Sequence, residues 1–303
     1  MHKGPLYAAG SYVIWGLLPL FWHALHHVPA TEILAHRIVW ALVATFLLTI
    51  FSGHLPKLWA AMRNWRILLT FTLSAALLTT NWFIYIWAVN AGYVVETSLG
   101  YFINPLVNVI FGVLFLRERL RFGQIAAVTV AAAGVIYLTV LYGALPWIAL
   151  VLAGSFGLYG LIRKTAPISS LEGLTLETLI AFVPALGYLI FLETTGQGAF
   201  MHAELSTTLL FITSGVVTAV PLLLFASGAR QITMVLLGVL QYIAPTIQFI
   251  LGVTFFHEAV TPERMIGFIL IWIALSIYTT EGLIVGGRAA RARARERAAS
   301  SAQ

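Results

Sequence analysis

Between Phe122 and Tyr142 the chain carries no charged residue, and stretches of this kind recur from one end of the sequence to the other. A run of about 20 apolar residues is what an α-helix needs to cross the hydrocarbon core of a bilayer. Within lipid every backbone N–H and C=O must be paired internally, so only helices and closed barrels span it. Barrel strands alternate apolar and polar residues, whereas Ala126–Val140 reads AAVTVAAAGVIYLTV, apolar all round. Helical spans are therefore expected. Only 9% of the residues are charged and 60% are hydrophobic, against roughly 25% charged in a soluble domain. With so few charges the solvent for most of the surface is lipid.

Ten spans are expected, at about 5–25, 31–51, 66–89, 93–115, 122–142, 146–163, 172–192, 206–228, 234–256 and 264–285. The stretch from Pro5 to Trp22 is too long for a signal-peptide core, and no small-residue cleavage site follows it, so it reads as a permanent first span. The connections are short, the longest lying near Phe51–Trp65 and Glu193–Glu204, and leave no room for a soluble domain. No cysteine is present, which excludes disulfides, thiolate metal sites and cysteine nucleophiles.

Lys and Arg cluster on the cytoplasmic side of membrane proteins. Of the 17 basic residues, all but Arg37, inside a span, and Arg264 fall in segments on one side, among them Lys57, Arg117, Arg163, Lys164, Arg230 and the tail from Arg288. Both termini are therefore expected in the cytoplasm of a bacterium, with the chain in its inner (plasma) membrane. The tail reads as a lipid-facing anchor, and nucleic acid is not an expected partner.

The two halves resemble each other. Phe102–Glu118 reads FINPLVNVIFGVLFLRE and Tyr242–Glu258 reads YIAPTIQFILGVTFFHE, with Ile103, Pro105, Ile110, Gly112, Val113, Phe115 and Glu118 recurring 140 positions on. The same register pairs Glu32 with Glu172, and a shift of one more pairs Trp15-Gly16-Leu17 with Phe156-Gly157-Leu158. Five spans per half is an odd number, so the second half enters the membrane inverted. The expected organisation is a first five-helix repeat at 1–143, an inverted second at 144–287 and a basic tail at 288–303. Inverted repeats are a common transporter architecture, because two similar halves can open one central site to either side.

Several strings are distinctive: YVIWGLLPLFW (Tyr12–Trp22), PATEILAHRIVW (Pro29–Trp40), NWFIYIWAVN (Asn81–Asn90), ETSLGYFINPLVN (Glu96–Asn108), YGLIRK (Tyr159–Lys164) and QYIAPT (Gln241–Thr246). Through them nearly the whole chain resembles the drug/metabolite transporter superfamily, EamA type. The resemblance implies ten helices in two inverted five-helix repeats and export of metabolites or drugs. It implies no defined substrate, since fold-level likeness cannot supply one.

Polar residues inside spans mark function, because they are costly there. Thr97, Tyr101, Asn104 and Asn108 share one stripe of the fourth span, and Gln241 and Gln248 on the ninth are the repeat mates of Tyr101 and Asn108. They are expected to wall a solute cavity with Asn81, Tyr85, Trp15 and Tyr159; the alternative is that the amides tie helices together. Pro19, Pro105 and Pro245 sit inside spans and are candidate hinges. Trp22, Trp59, Trp65 and Trp147 read as interfacial belt residues.

Three charges lie deep in spans. Arg37 and Glu96 fall in the outer half and are expected to pair; Glu177, the repeat mate of Arg37, lies in the inner half with no obvious basic partner there. That makes Glu177 the candidate carboxyl for a coupling proton, unless it faces a wet vestibule or caps a loop. Glu118 and Glu258 read as caps or loop partners, and His23, His26 and His27 as interfacial residues, with no metal and no cofactor expected. No catalytic constellation stands out, so an enzyme is not expected. The leading expectation is a secondary transporter; the alternative is a passive channel for small solutes.

Overall fold

The structure, a computed structural model, describes the backbone of residues 3–91, 93–255, 257 and 261–300; the side chains at 89, 90, 94–96, 98, 142, 263, 264, 283 and 286–300 lie outside the description. The described secondary structure is helical throughout: α1 (Gly4–His23), α2 (Ala30–Phe51), α3 (Leu55–Arg63), α4 (Trp65–Asn90), α5 (Val94–Leu116), α6 (Phe122–Tyr142), α7 (Trp147–Thr165), α8 (Ser170–Thr194), α9 (Leu205–Ala229), α10 (Met234–Gln241), α11 (Ile243–Thr254) and α12 (Pro262–Ser300). Among the described residues 10 spans are long and apolar enough to cross a membrane, the ninth being Met234–Thr254, built from α10 and α11. Large apolar side chains such as Leu114, Val140, Val183 and Val216 are exposed around the bundle, as a lipid-facing surface requires.

The helix ends follow from local chemistry. Gly143 adopts a left-handed φ of 73° and stops α6. The Asn64 side chain accepts from Arg66 N–H at 3.0 Å and so satisfies an open donor at the start of α4. The segment expected to be a plain connection after Phe51 instead folds as α3, an amphipathic helix of 9 residues with Leu58 and Ala61 buried.

The main helix pairs come in mates. Besides α2 with α8, α5 with α10 and α6 with α12, the bundle packs α5 on α7 and α1 on α11, α4 on α7 and α1 on α9, α4 on α8 and α2 on α9. Exchanging α1 with α7, α2 with α8, α4 with α9, α5 with α10–α11 and α6 with α12 maps this set onto itself. Each half therefore packs mostly on the other. Two close approaches repeat the pattern: a Cβ at Gly16 would lie 2.7 Å from Ile247, and one at Gly157 would lie 2.7 Å from Val107, the repeat mate of Ile247. The Tyr242 hydroxyl donates to the carbonyl of its own mate, Phe102, at 3.3 Å. Exposed Arg121 grips Glu281 in bidentate fashion at 2.6 and 2.7 Å, tying α6 to α12.

Candidate functional site

A cavity of ≈ 180 Å³ lies where α1, α2, α4, α5, α7, α9 and α10–α11 meet. Its wall includes Trp15, Pro19 and Trp22 of α1, Arg37 of α2, Asn81, Trp82 and Tyr85 of α4, Thr97, Tyr101 and Asn104 of α5, Phe156 of α7, Thr218 of α9, and Gln241, Pro245 and Gln248 of the broken span. These positions cluster toward the C-terminal ends of α1 and α4 and the N-terminal ends of α2 and α5, so the cavity occupies one half of the membrane thickness. Of the residues expected there, Trp15, Asn81, Tyr85, Tyr101, Asn104, Gln241 and Gln248 line it. Tyr85 and Tyr101 meet edge to face, ring centroids 6.0 Å apart.

Asn108 and Tyr159 do not line it. Asn108 is buried one turn deeper on α5, and its amide donates to Gln241 Oε1 at 2.7 Å. This bond joins α5 to α10 where Gly238 lets the helices touch: a Cβ there would lie 2.6 Å from the Pro105 carbonyl oxygen. Asn108 is thus part of the cavity floor, below the surface that a solute would meet. Tyr159 stacks on Phe225 at 5.8 Å within the core that also holds Tyr12 and Leu174. Other amides are engaged as well. Asn81 Nδ2 donates to the Leu152 carbonyl at 2.8 Å and to Ser155 Oγ at 2.9 Å, and Gln248 Nε2 donates to the Trp15 carbonyl at 3.2 Å.

Arg37 enters the cavity from α2. Its guanidinium lies over the rings of both Trp22 and Trp82, 4.6 Å from each centroid, and its Nε donates to Thr218 Oγ1 at 3.1 Å. The side chain of Glu96, its expected partner, lies outside the described residues. Trp22 is therefore not a belt residue but a cavity residue, and neither Trp82 nor Thr218 stood out in the sequence. Trp82 hides in an aromatic-rich string, and Thr218 is an ordinary span hydroxyl until α9 brings it against α2.

The other half of the membrane thickness holds Glu177, and here the sequence expectation is corrected. Glu177 has a basic partner: Arg163 Nη1 lies 3.5 Å from Glu177 Oε1, with both side chains only 2% exposed. Ser74 of α4 donates to the same oxygen at 2.5 Å. Arg163 Nη2 also donates to the Ser170 carbonyl at 2.8 Å, and its guanidinium lies over Phe71. Gly173 leaves the space that this guanidinium fills. Arg163 stands in the last turn of α7, where a basic residue ordinarily reaches for water, but here it turns into the contact of α4 with α8. Glu177 neither faces a vestibule nor caps a loop, and the argument from a missing partner no longer selects it for proton coupling. Around this pair the same end is tied by Thr49 to Thr175 at 2.9 Å and by Lys164, which donates to the carbonyls of Ala229 and Ile232.

Glu118 accepts from Met234 N–H at 2.7 Å and Val235 N–H at 3.1 Å, capping α10 from the end of α5. Glu258 lies outside the described residues. His27 meets Thr207 at 3.0 Å and His26 meets the His23 carbonyl at 2.8 Å. The proline positions behave differently: α1 and α5 run on through Pro19 and Pro105, while the span holding Pro245 breaks at Tyr242.

Comparison with known proteins adds to this geometry. The EamA-like transporter family matches residues 2–140. The protein RarD of Streptomyces exfoliatus is 47% identical over 299 residues, covering 99% of this chain and 94% of that protein. The uncharacterized transporter YojE of Bacillus subtilis is 46% identical, over 91% of this chain and 93% of its own. The chloramphenicol-sensitive protein RarD of Pseudomonas aeruginosa is 34% identical, over 90% and 92%. A solved crystal structure at 19% identity superposes with a TM-score of 0.71 over 92% of this chain and 98% of that one, a likeness of fold.

Proposed function

The chain belongs to the EamA-like transporter family, and we propose that it works as a secondary transporter, exporting small organic solutes by alternating access. The carrying observation is an asymmetry through the membrane. One half of its thickness holds the cavity, and the other is closed by the buried Arg163–Glu177 pair with Ser74. With both termini in the cytoplasm the cavity lies on the outer side and the ion pair is a cytoplasmic lock. The mated helix contacts support a reading of 1–143 and 144–287 as inverted repeats that exchange conformations.

The lock fits this role chemically. A buried ion pair stabilises little once desolvation is counted, and its best-attested use is as a registry or switch element. Here Arg163 Nε and Glu177 Oε2 find no hydrogen-bond partner among the described residues. An imperfectly satisfied pair holds one state without trapping it. Solute leaves outward while the lock is closed; breaking the lock as the outer walls close exposes the same cavity to the cytoplasm.

The test is counterflow in liposomes containing the purified protein. Amino acids, amines and chloramphenicol, after the name of the Pseudomonas aeruginosa relative, are the first solutes to try. Alternating access gives trans-acceleration by unlabelled solute. Flux that trans solute leaves unchanged would identify a passive channel and sink the reading.

A further inference from the structure

We propose that the cavity is an organic-anion site in which Arg37 receives a carboxylate, so that the solute class is a small carboxylic acid with a flat apolar body. This rests on reading the cavity as the transport site.

A guanidinium among apolar helices is costly unless anions or dipoles answer it. The described residues answer only part of it. Thr218 accepts from Nε, and Trp22 and Trp82 lie against the cation at 4.6 Å. No described group accepts from the two terminal nitrogens, and among the described residues Arg37 is the only charged one in the cavity wall. Those nitrogens form the planar fork that matches a carboxylate in bidentate geometry.

The rest of the wall sharpens the class. Two amide donors of the wall are already engaged, Asn81 by Leu152 and Ser155 and Gln248 by Trp15, while Asn104 and Gln241 offer neutral amide donors beside the guanidinium. Among the described residues of the wall, the charged donors open to a solute are those of Arg37. Trp15, Tyr85, Tyr101 and Phe156 give aromatic surface for a flat body. A volume of ≈ 180 Å³ suits one ring and a short acid, below the roughly 300 Å³ at which drug-sized pockets begin. One guanidinium balances a monoanion; a phosphate dianion would leave a charge unanswered, and a cation would meet Arg37 itself.

Phenylacetate, phenylacetamide and phenethylamine are a matched set of probes. Equilibrium dialysis of the purified full chain should show phenylacetate binding at least about tenfold tighter than phenylacetamide, as a charge-assisted bond implies, with phenethylamine failing to compete. Arg37→Gln should erase that preference while keeping phenylacetamide binding, which also reports an intact cavity. Arg37→Lys should restore it only in part, and Thr218→Val should weaken it less than Arg37→Gln does. Equal binding of acid and amide by the unaltered protein would overturn the proposal. So would a preference that survives Arg37→Gln, or one that Glu96→Gln restores in the Arg37→Gln chain, since Arg37 would then serve an internal ion pair. Counterflow separates the two readings. Trans-acceleration without carboxylate preference sinks this inference alone, while carboxylate binding without trans-acceleration sinks the transport reading and leaves the anion site.

Discussion

Arg37 and Glu177 stand at corresponding positions of the two halves, and Trp22 and Arg163 correspond through the matching of α1 with α7. One pair of corresponding positions is thus used twice with different chemistry. In the first half it is a cation over a ring at 4.6 Å; in the second it is an ion pair at 3.5 Å. Removing one member of a buried pair costs about 3–5 kcal/mol, whereas replacing both by apolar groups of similar volume is often neutral. Glu177→Gln should therefore lower the melting temperature of the purified protein clearly, and Arg163→Met with Glu177→Leu should recover most of it. A double variant no more stable than Glu177→Gln would deny that the two residues act as a pair. On the proposed lock reading, Glu177 sets rates without setting proton dependence. Transport by Glu177→Gln should change at every pH with the profile's shape retained, and a profile that loses its pH dependence would make Glu177 the coupling carboxyl. The lock was invisible in the sequence because Arg163 sits at a span end, where basic residues ordinarily reach for water. Asn108 was placed in the wall for a similar reason: a helical stripe gives the face of a residue but not its depth relative to a cavity floor.

At the scale of elements, spans were legible because about 20 apolar residues can do little else in lipid. Helix α3 was not, since 9 residues with a narrow apolar face carry no such length signal. The break between α10 and α11 was half legible. Pro245 cannot donate to the Gln241 carbonyl, which frees the backbone one residue before Tyr242, yet Pro105 makes the same omission inside the unbroken α5. Pro245→Ala should therefore slow turnover several-fold, and Pro105→Ala should do less; equal effects would remove the hinge from the ninth span. Close packing offers a second check. Gly16→Ala drives a methyl into Ile247, and overpacking costs about 1–3 kcal/mol. Ile247→Ala in the same chain should relieve part of that cost, and Gly157→Ala with Val107→Ala should behave alike. Simple additivity in both thermal-stability cycles would mean that these crossings are not tight.

For the whole molecule, the sequence likeness of the halves rests on Pro105 and Pro245 with their flanking strings, and it carries no information on where a site would lie. Two similar halves meet in a bundle whose cavity is aromatic and basic at one end and whose lock is acidic and basic at the other. Similarity in sequence cannot say which end is open. The protein has no cysteine, so one introduced thiol reports access without background. Leu18 lines the cavity and takes part in no named polar contact. In inverted vesicles and intact cells, the rate at which a membrane-impermeant maleimide alkylates Leu18→Cys should be higher from the outside. Adding Glu177→Gln should lower the outside rate and raise the cytoplasmic rate together, because opening the lock closes the other face. Rates that rise from both faces at once would describe a continuous pore and contradict alternating access.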